Sequence, residues 1–231
     1  MPKRAKLYII STIAVGLCLL VGCLIFEWQF TDPLRYFCYL LLACVASTLK
    51  IKLPRLHGTM SINFLFILIG VAELTVTETL TLGCAAAVIQ CFWKPLKRPA
   101  PIQVLFNIST LVVCIAISFS LSHALVQGTH LLVLLVVAVC AYFVLNTGMI
   151  SLVLSLTGGK PFSGIWRQCY LWSFPYYLVG AAIAGAAVFS NRTVGWKISL
   201  LMLPLMYLVY TYYRLYLLQS HRSGVRHGGY F

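Results

Sequence analysis

Acidic residues are almost missing from this sequence. Its 231 residues include four Asp and Glu against 17 Lys and Arg. Charged residues of both signs make up only 9% of the chain, whereas a soluble domain carries about 25%. Hydrophobic residues reach 61%. This composition excludes an ordinary soluble domain and predicts an integral membrane protein.

Recognisable catalytic motifs are missing as well. The sequence contains no H-E-x-x-H, no P-loop and no Ser-His-acid set in one polar region, and its five histidines are scattered. The nine cysteines lie mostly inside apolar segments and lack paired metal spacing, a pattern typical of free, buried thiols. We therefore expect no enzyme activity, no cofactor and no metal site.

Long apolar segments follow one another, joined by short loops. The first one is a full span with no small-residue cleavage site after it, so we expect it to remain as a membrane helix. The pattern predicts an all-α polytopic bundle with about eight transmembrane segments, or six or seven if the second segment or the 59–93 region inserts only in part. The segments are 7–26, 34–49, 59–74, 79–93, 102–125, 130–156, 170–190 and 198–218. Residues 1–218 then form one membrane domain, and 219–231 form a short cytoplasmic tail.

The positions of the basic residues predict the orientation. With a cytoplasmic N-terminus and eight crossings, all basic residues except Arg35, Arg192 and Lys197 fall on the inner side. This is the bias of the positive-inside rule, and it places both termini in the cytoplasm. The net charge of +13 is thus a topology signal, and we expect no nucleic-acid partner.

The apolar run 59–93 holds two of the four acids. As a single helix it would be about 52 Å long, and the basic clusters before and after it would face opposite sides. A hairpin, fully spanning or re-entrant, keeps both clusters inside. Thr75 to Glu78 fits a capping box that opens the second half, so Glu78 is mainly a helix cap. Glu73 either reaches outer water or faces a ligand or a cation, and Glu73, Asn63 and Glu78 are the candidate ligand-binding residues.

Small and amide side chains in the later segments predict helix packing. Gly180, Ala184 and Gly185 form a small-residue face suited to close helix contact, either within the chain or in a homodimer. Asn107 and Asn146 are expected to hydrogen-bond between helices.

The last segment carries tyrosines at a spacing of three residues. They are either an aromatic belt at the inner interface or part of a helix that transmits a signal out of the membrane. The candidate output residues are Tyr207, Tyr210, Tyr213 and Tyr216.

Several stretches resemble a known membrane module: HGTMSINFLFILIGVAEL, TETLTLGCAAAVIQCFW, KRPAPIQVLFNIS, RQCYLWSFPYYLVGAAIAG and NRTVGWKISLLMLPLMYLVYTYYRLYL. They are similar to the N-terminal membrane region of bacterial, notably acidobacterial, signalling proteins with GGDEF or HD-GYP output domains. The resemblance covers roughly residues 6–218 and is of the MASE sensor type. It implies a sensory input module in the bacterial inner membrane and assigns no ligand residues.

The sequence departs from that pattern after position 218, where QSHRSGVRHGGYF replaces an output domain. A stand-alone relative, a truncated product and a degenerate copy are all compatible with this ending. The first functional hypothesis is a sensor that signals through its last helix to a cytoplasmic GGDEF or HD-GYP domain or protein. The alternatives are a small-solute transporter or substrate-binding membrane subunit, and a purely structural membrane subunit.

Overall fold

The structure, a computed structural model, describes residues 2–26, 32–52, 59–93, 95, 98–126, 130–167 and 173–197, and the single positions 204, 207, 208, 211, 212 and 215. Within these ranges the chain forms eight helices and two short strands. They are α1 (Lys3–Phe26), α2 (Pro33–Thr48), β1 (Lys50–Lys52), β2 (Thr59–Ser61), α3 (Phe64–Glu73), α4 (Val76–Phe92), α5 (Pro101–Leu125), α6 (Leu131–Gly158), α7 (Phe162–Ile165) and α8 (Phe174–Val194).

Four helices, α1, α5, α6 and α8, are long and apolar enough to cross a membrane. The helices α2, α3 and α4 are apolar but shorter, with 16, 10 and 17 residues. A bundle of apolar helices of this kind confirms the predicted class, a helical membrane protein. The number of crossings and the side on which each terminus lies stay predictions.

The connection between α2 and α3 differs from the all-helical expectation. β1 pairs with β2 in an antiparallel hairpin, with Lys50 opposite Ser61. The predicted segment 59–74 therefore begins as a strand, and its helix starts only at Phe64. Pro54 and Gly58 lie in the sequence between the two strands, and residues of these types favour a turn over a continuous helix.

The predicted break in the 59–93 run is confirmed. α3 ends at Glu73 and α4 begins at Val76, with Leu74 and Thr75 in extended conformations between them. A Cβ built on Gly70 would lie 3.0 Å from the side chain of Thr79, so the two helices approach each other closely on either side of the turn. The chain therefore folds back on itself at residues 74–75.

α3 lies at the centre of the bundle. All eight residues from Phe64 to Val71 are buried, as expected for a helix that is apolar on every side. It contacts α2, α4, α5, α6 and α8. At about 15 Å, α3 is half as long as the hydrocarbon core is thick, so its ends depend on the surrounding helices for cover.

Candidate functional site

The ends of several helices meet at the turn between α3 and α4. From α2, Nη2 of Arg35 donates to the main-chain carbonyl of Glu73 at 3.2 Å. From α4, Oγ1 of Thr77 donates to the carbonyl of Cys23, near the end of α1, at 3.3 Å. The last turn of α8 contributes Asn191. We call the group Arg35, Tyr39, Glu73, Glu78 and Asn191 the turn site.

Glu73 is held by two neutral donors from distant parts of the sequence. The hydroxyl of Tyr39 donates to Oε2 of Glu73 at 2.8 Å. The amide nitrogen of Asn191 lies 3.1 Å from each carboxylate oxygen of Glu73, and it donates to the Tyr39 hydroxyl at 2.8 Å. This network links α2, α3 and α8 through one carboxylate. Tyr39 is buried, and Glu73 and Asn191 are half-buried.

Glu78 closes the capping box that the sequence predicts. Its Oε2 accepts from the main-chain N–H of Thr75 at 2.9 Å, and the hydroxyl of Thr75 accepts from the N–H of Glu78 at 3.2 Å. The Thr75 hydroxyl is also 3.2 Å from Oε2. Because Glu78 is only 2% exposed, this is a cap buried inside the bundle.

The charges at the turn complement the helix dipoles. Arg35 places a guanidinium at the C-terminus of α3, and Glu78 places a carboxylate in the first turn of α4; both arrangements are favourable. Arg35 is thereby bound to the Glu73 carbonyl, while neutral groups donate to the Glu73 carboxylate. The charge of Glu73, by contrast, lies at the C-terminal end of α3, where it does not complement the helix dipole.

Asn63 lies away from the other candidate ligand residues. It occupies the N-cap position of α3, where its carbonyl accepts from the N–H groups of Phe66 and Ile67. Glu73 ends the same helix about 15 Å further on. The structure thus brings Glu73 and Glu78 to one turn, and it places Asn63 at the opposite end of α3.

The predicted packing face of α8 is used within the chain. A Cβ on Gly180 would lie 2.2 Å from Cζ of Phe64 in α3, and one on Gly185 would lie 3.3 Å from Leu135 in α6. Ala184, between them in sequence, is fully buried. Gly180 and Gly185 therefore face partners in the same chain, and a homodimer stays a prediction without support from these two glycines.

The two asparagines that were predicted to hydrogen-bond between helices make contacts of different strength. Nδ2 of Asn146 donates to the hydroxyl of Tyr177 at 3.2 Å, which joins α6 to α8. Asn107 is exposed, and its amide lies 3.7 Å from Sγ of Cys91 in α4, a weak contact.

The candidate output tyrosines are described only in part. Tyr207 is helical and 60% exposed. Tyr210, Tyr213 and Tyr216 lie outside the described residues. Eight of the nine cysteines are described, and all eight are free thiols; Cys169 lies outside the described residues. Among the described residues, no group of three or more His, Cys, Asp or Glu side chains could hold a metal ion.

Sequence reasoning missed Tyr39 and Asn191. Tyr39 sits in an apolar helix, and Asn191 stands out in the sequence only as part of a chance N-x-T match. Only their positions could have indicated them. Tyr39 and Asn191 lie near the ends of predicted segments that the predicted topology places on the same side of the membrane as Glu73.

Comparisons with known proteins identify no relative for this chain. No family model, no curated protein and no solved structure matches it.

Proposed function

We propose that the chain is a membrane-embedded sensory input module. In this proposal a cue acts at the turn site and changes the packing of α8. The following segment, 198–218, transmits the change to a cytoplasmic output partner, which by resemblance is a GGDEF or HD-GYP domain or protein. The module resides in a bacterial inner membrane with both termini in the cytoplasm, and it has no enzyme activity of its own.

The bond between Asn191 and Glu73 is the observation that supports this proposal. α8 directly precedes the last segment, and its final turn is attached to a carboxylate at the α3–α4 turn. A hydrogen bond to a charged group contributes about 1.5–3 kcal/mol, so a cue at the turn site that breaks the Asn191–Glu73 bond changes the balance between two packings roughly 10- to 150-fold. A cue shifts that balance only if it binds the two packings with different affinity.

The test is a fusion of the chain, after Leu218, to a diguanylate cyclase domain, with cellular cyclic-di-GMP as the readout. We expect Glu73→Gln and Asn191→Ala to change the output at equal protein level. Asn107→Ala is the matched control, because Asn107 is exposed and its one hydrogen bond to a described residue is the weak contact with Cys91. Equal output from all four proteins would contradict the proposal.

A small-solute transporter or substrate-binding membrane subunit is the second candidate. It is favoured by α3, a 10-residue buried helix that ends in an extended turn beside two carboxylates. Short, interrupted helices of this kind build the binding sites of many transporters. Uptake into proteoliposomes that collapses in Glu73→Gln would support transport and contradict a pure sensor. If neither uptake nor fusion output is found, the purely structural subunit remains.

A further inference from the structure

One oxygen of the Glu78 carboxylate has no hydrogen-bond partner in the part of the chain that the structure describes. Both hydrogen bonds that the side chain receives, from the main chain and the hydroxyl of Thr75, end on Oε2. Oε1 is buried and accepts no hydrogen bond from the described residues. With 2% exposure for the whole residue, bulk water does not replace the missing donor.

A half-satisfied carboxylate at this depth is costly. Buried charges in proteins are normally paired with an opposite charge or bound to a cation, because the interior solvates an isolated ion poorly. The ordinary function of Glu78, closing the capping box, requires only one oxygen and does not require a charge, since glutamine serves equally at this position. The dipole of α4 accounts for the charge, but neither the dipole nor the capping box uses Oε1, and this free oxygen points to a second function.

Among the described residues, no Lys or Arg side chain donates a hydrogen bond to the Glu78 carboxylate. Arg35 donates to the Glu73 carbonyl, and its Nε is itself buried without a hydrogen-bond partner. Arg192 and Lys197, in and after the last turn of α8, have exposed side chains, so water screens their charge. The turn site thus holds two carboxylates against one guanidinium, and only Glu78 of the three is fully buried.

We infer that Glu78 binds a small alkali cation, Na⁺ or K⁺, through Oε1. We infer a small ion because Oε1 is buried. We infer a single charge because the described residues contain no cluster of acidic side chains of the kind that binds a divalent ion. The site lies where α3 ends in an extended turn, and the C-terminal ends and unwound carbonyls of short membrane helices are known ligands of Na⁺. This inference deepens the proposed function, because it names the cue as a monovalent cation.

The test measures binding to the purified full-length chain in detergent, with no output domain attached. ²²Na⁺ binding is measured in a background of N-methyl-D-glucamine chloride, with K⁺, Li⁺ and tetramethylammonium as competitors. Glu78→Gln removes the charge and keeps the capping box. Asp32→Asn, at the N-cap of α2, also replaces a carboxylate by an amide, keeps a good cap and is the matched control.

We expect one saturable site that alkali cations compete for and tetramethylammonium does not. At ten times the dissociation constant, the bound ion raises the Tm by about 3–6 °C. Glu78→Gln loses both effects, and Asp32→Asn keeps them. If Glu78→Gln does not fold, absence of saturable Na⁺ or K⁺ binding to the native chain overturns the inference.

Two other results also overturn the inference: undiminished binding in Glu78→Gln, and stabilisation by acid alone in the native chain. The second would identify a proton as the occupant. The sensor proposal fails separately, in the cyclase fusion, because cation binding is measured without any output.

Discussion

Asn191, in the last turn of α8, donates to a carboxylate that lies 118 residues earlier in the chain, at the end of α3. The same amide reaches the hydroxyl of Tyr39 in α2, and that hydroxyl donates to Glu73. Three helices that are distant in sequence thus share one ionisable group. Glu73 is therefore the residue through which a change at the turn is expected to reach the end of α8.

Tyr39→Phe should destabilise the chain by about 1–3 kcal/mol, because it removes a buried donor from a carboxylate and one acceptor of the Asn191 amide. Thermal unfolding in detergent checks this. Tyr212→Phe is the control, since Tyr212 is 73% exposed and its hydroxyl change should have little effect. Equal loss of stability in both variants would show that the hydrogen bond from Tyr39 to Glu73 does not contribute to the stability of the fold.

Gly180→Ala should destabilise the chain by about 1–3 kcal/mol, because the new methyl group would overlap the ring of Phe64. Gly148→Ala, in α6, is the matched control: a Cβ there meets no atom within 4 Å, and alanine favours the helix by up to about 1 kcal/mol. Adding Phe64→Leu to Gly180→Ala should recover part of the loss. A Gly180→Ala chain as stable as the native one would show that α8 does not pack on α3 in this way.

Thr75→Ala should cost about 1 kcal/mol of stability, because the N–H of Glu78 loses its capping acceptor. Thr75→Ser keeps the hydroxyl and should restore most of it. Chemical unfolding of the purified chain compares the two variants. A similar cost for serine and alanine would mean that the capping bond does not stabilise α4.

The predicted topology can be tested by cysteine labelling. In a background with the nine native cysteines replaced, Thr75→Cys should react with an impermeant maleimide added from the outside of intact cells. Lys160→Cys, an exposed position after α6 that the positive-inside rule places in the cytoplasm, should react only after the membrane is opened. Labelling of position 75 from the cytoplasmic side alone would refute an outer turn.

Local patterns predicted the α3–α4 turn well. The capping box reads directly from Thr75 and Glu78, and the basic clusters on both sides of the 59–93 run require an even number of passes across the membrane or a re-entrant loop. The start of α3 was harder, because residues 59–61 contain no Gly or Pro and run directly into an apolar helical segment. Their strand pairing with residues 50–52 depends on a partner outside the apolar run.

The sequence predicted the two acids of the turn site, Glu73 and Glu78, but not the side chains that donate to Glu73. Glu73 stood out because a carboxylate is unfavourable at the C-terminal end of a helix. Its donors did not, since Tyr39 and Asn191 meet it across 34 and 118 residues of chain and no local periodicity encodes such a contact. Single polar residues in apolar segments reveal their partners only when the helices are placed in three dimensions.

The coupling between Glu73 and Asn191 tests the central claim most directly. In the cyclase fusion, output is measured for the native chain, Glu73→Gln, Asn191→Ala and the double variant, at equal protein level. If the two side chains act as one connection between the turn and the last helix, the double variant should show the same output as either single variant. Independent effects that multiply in the double variant, or no effect of any variant, would contradict the account.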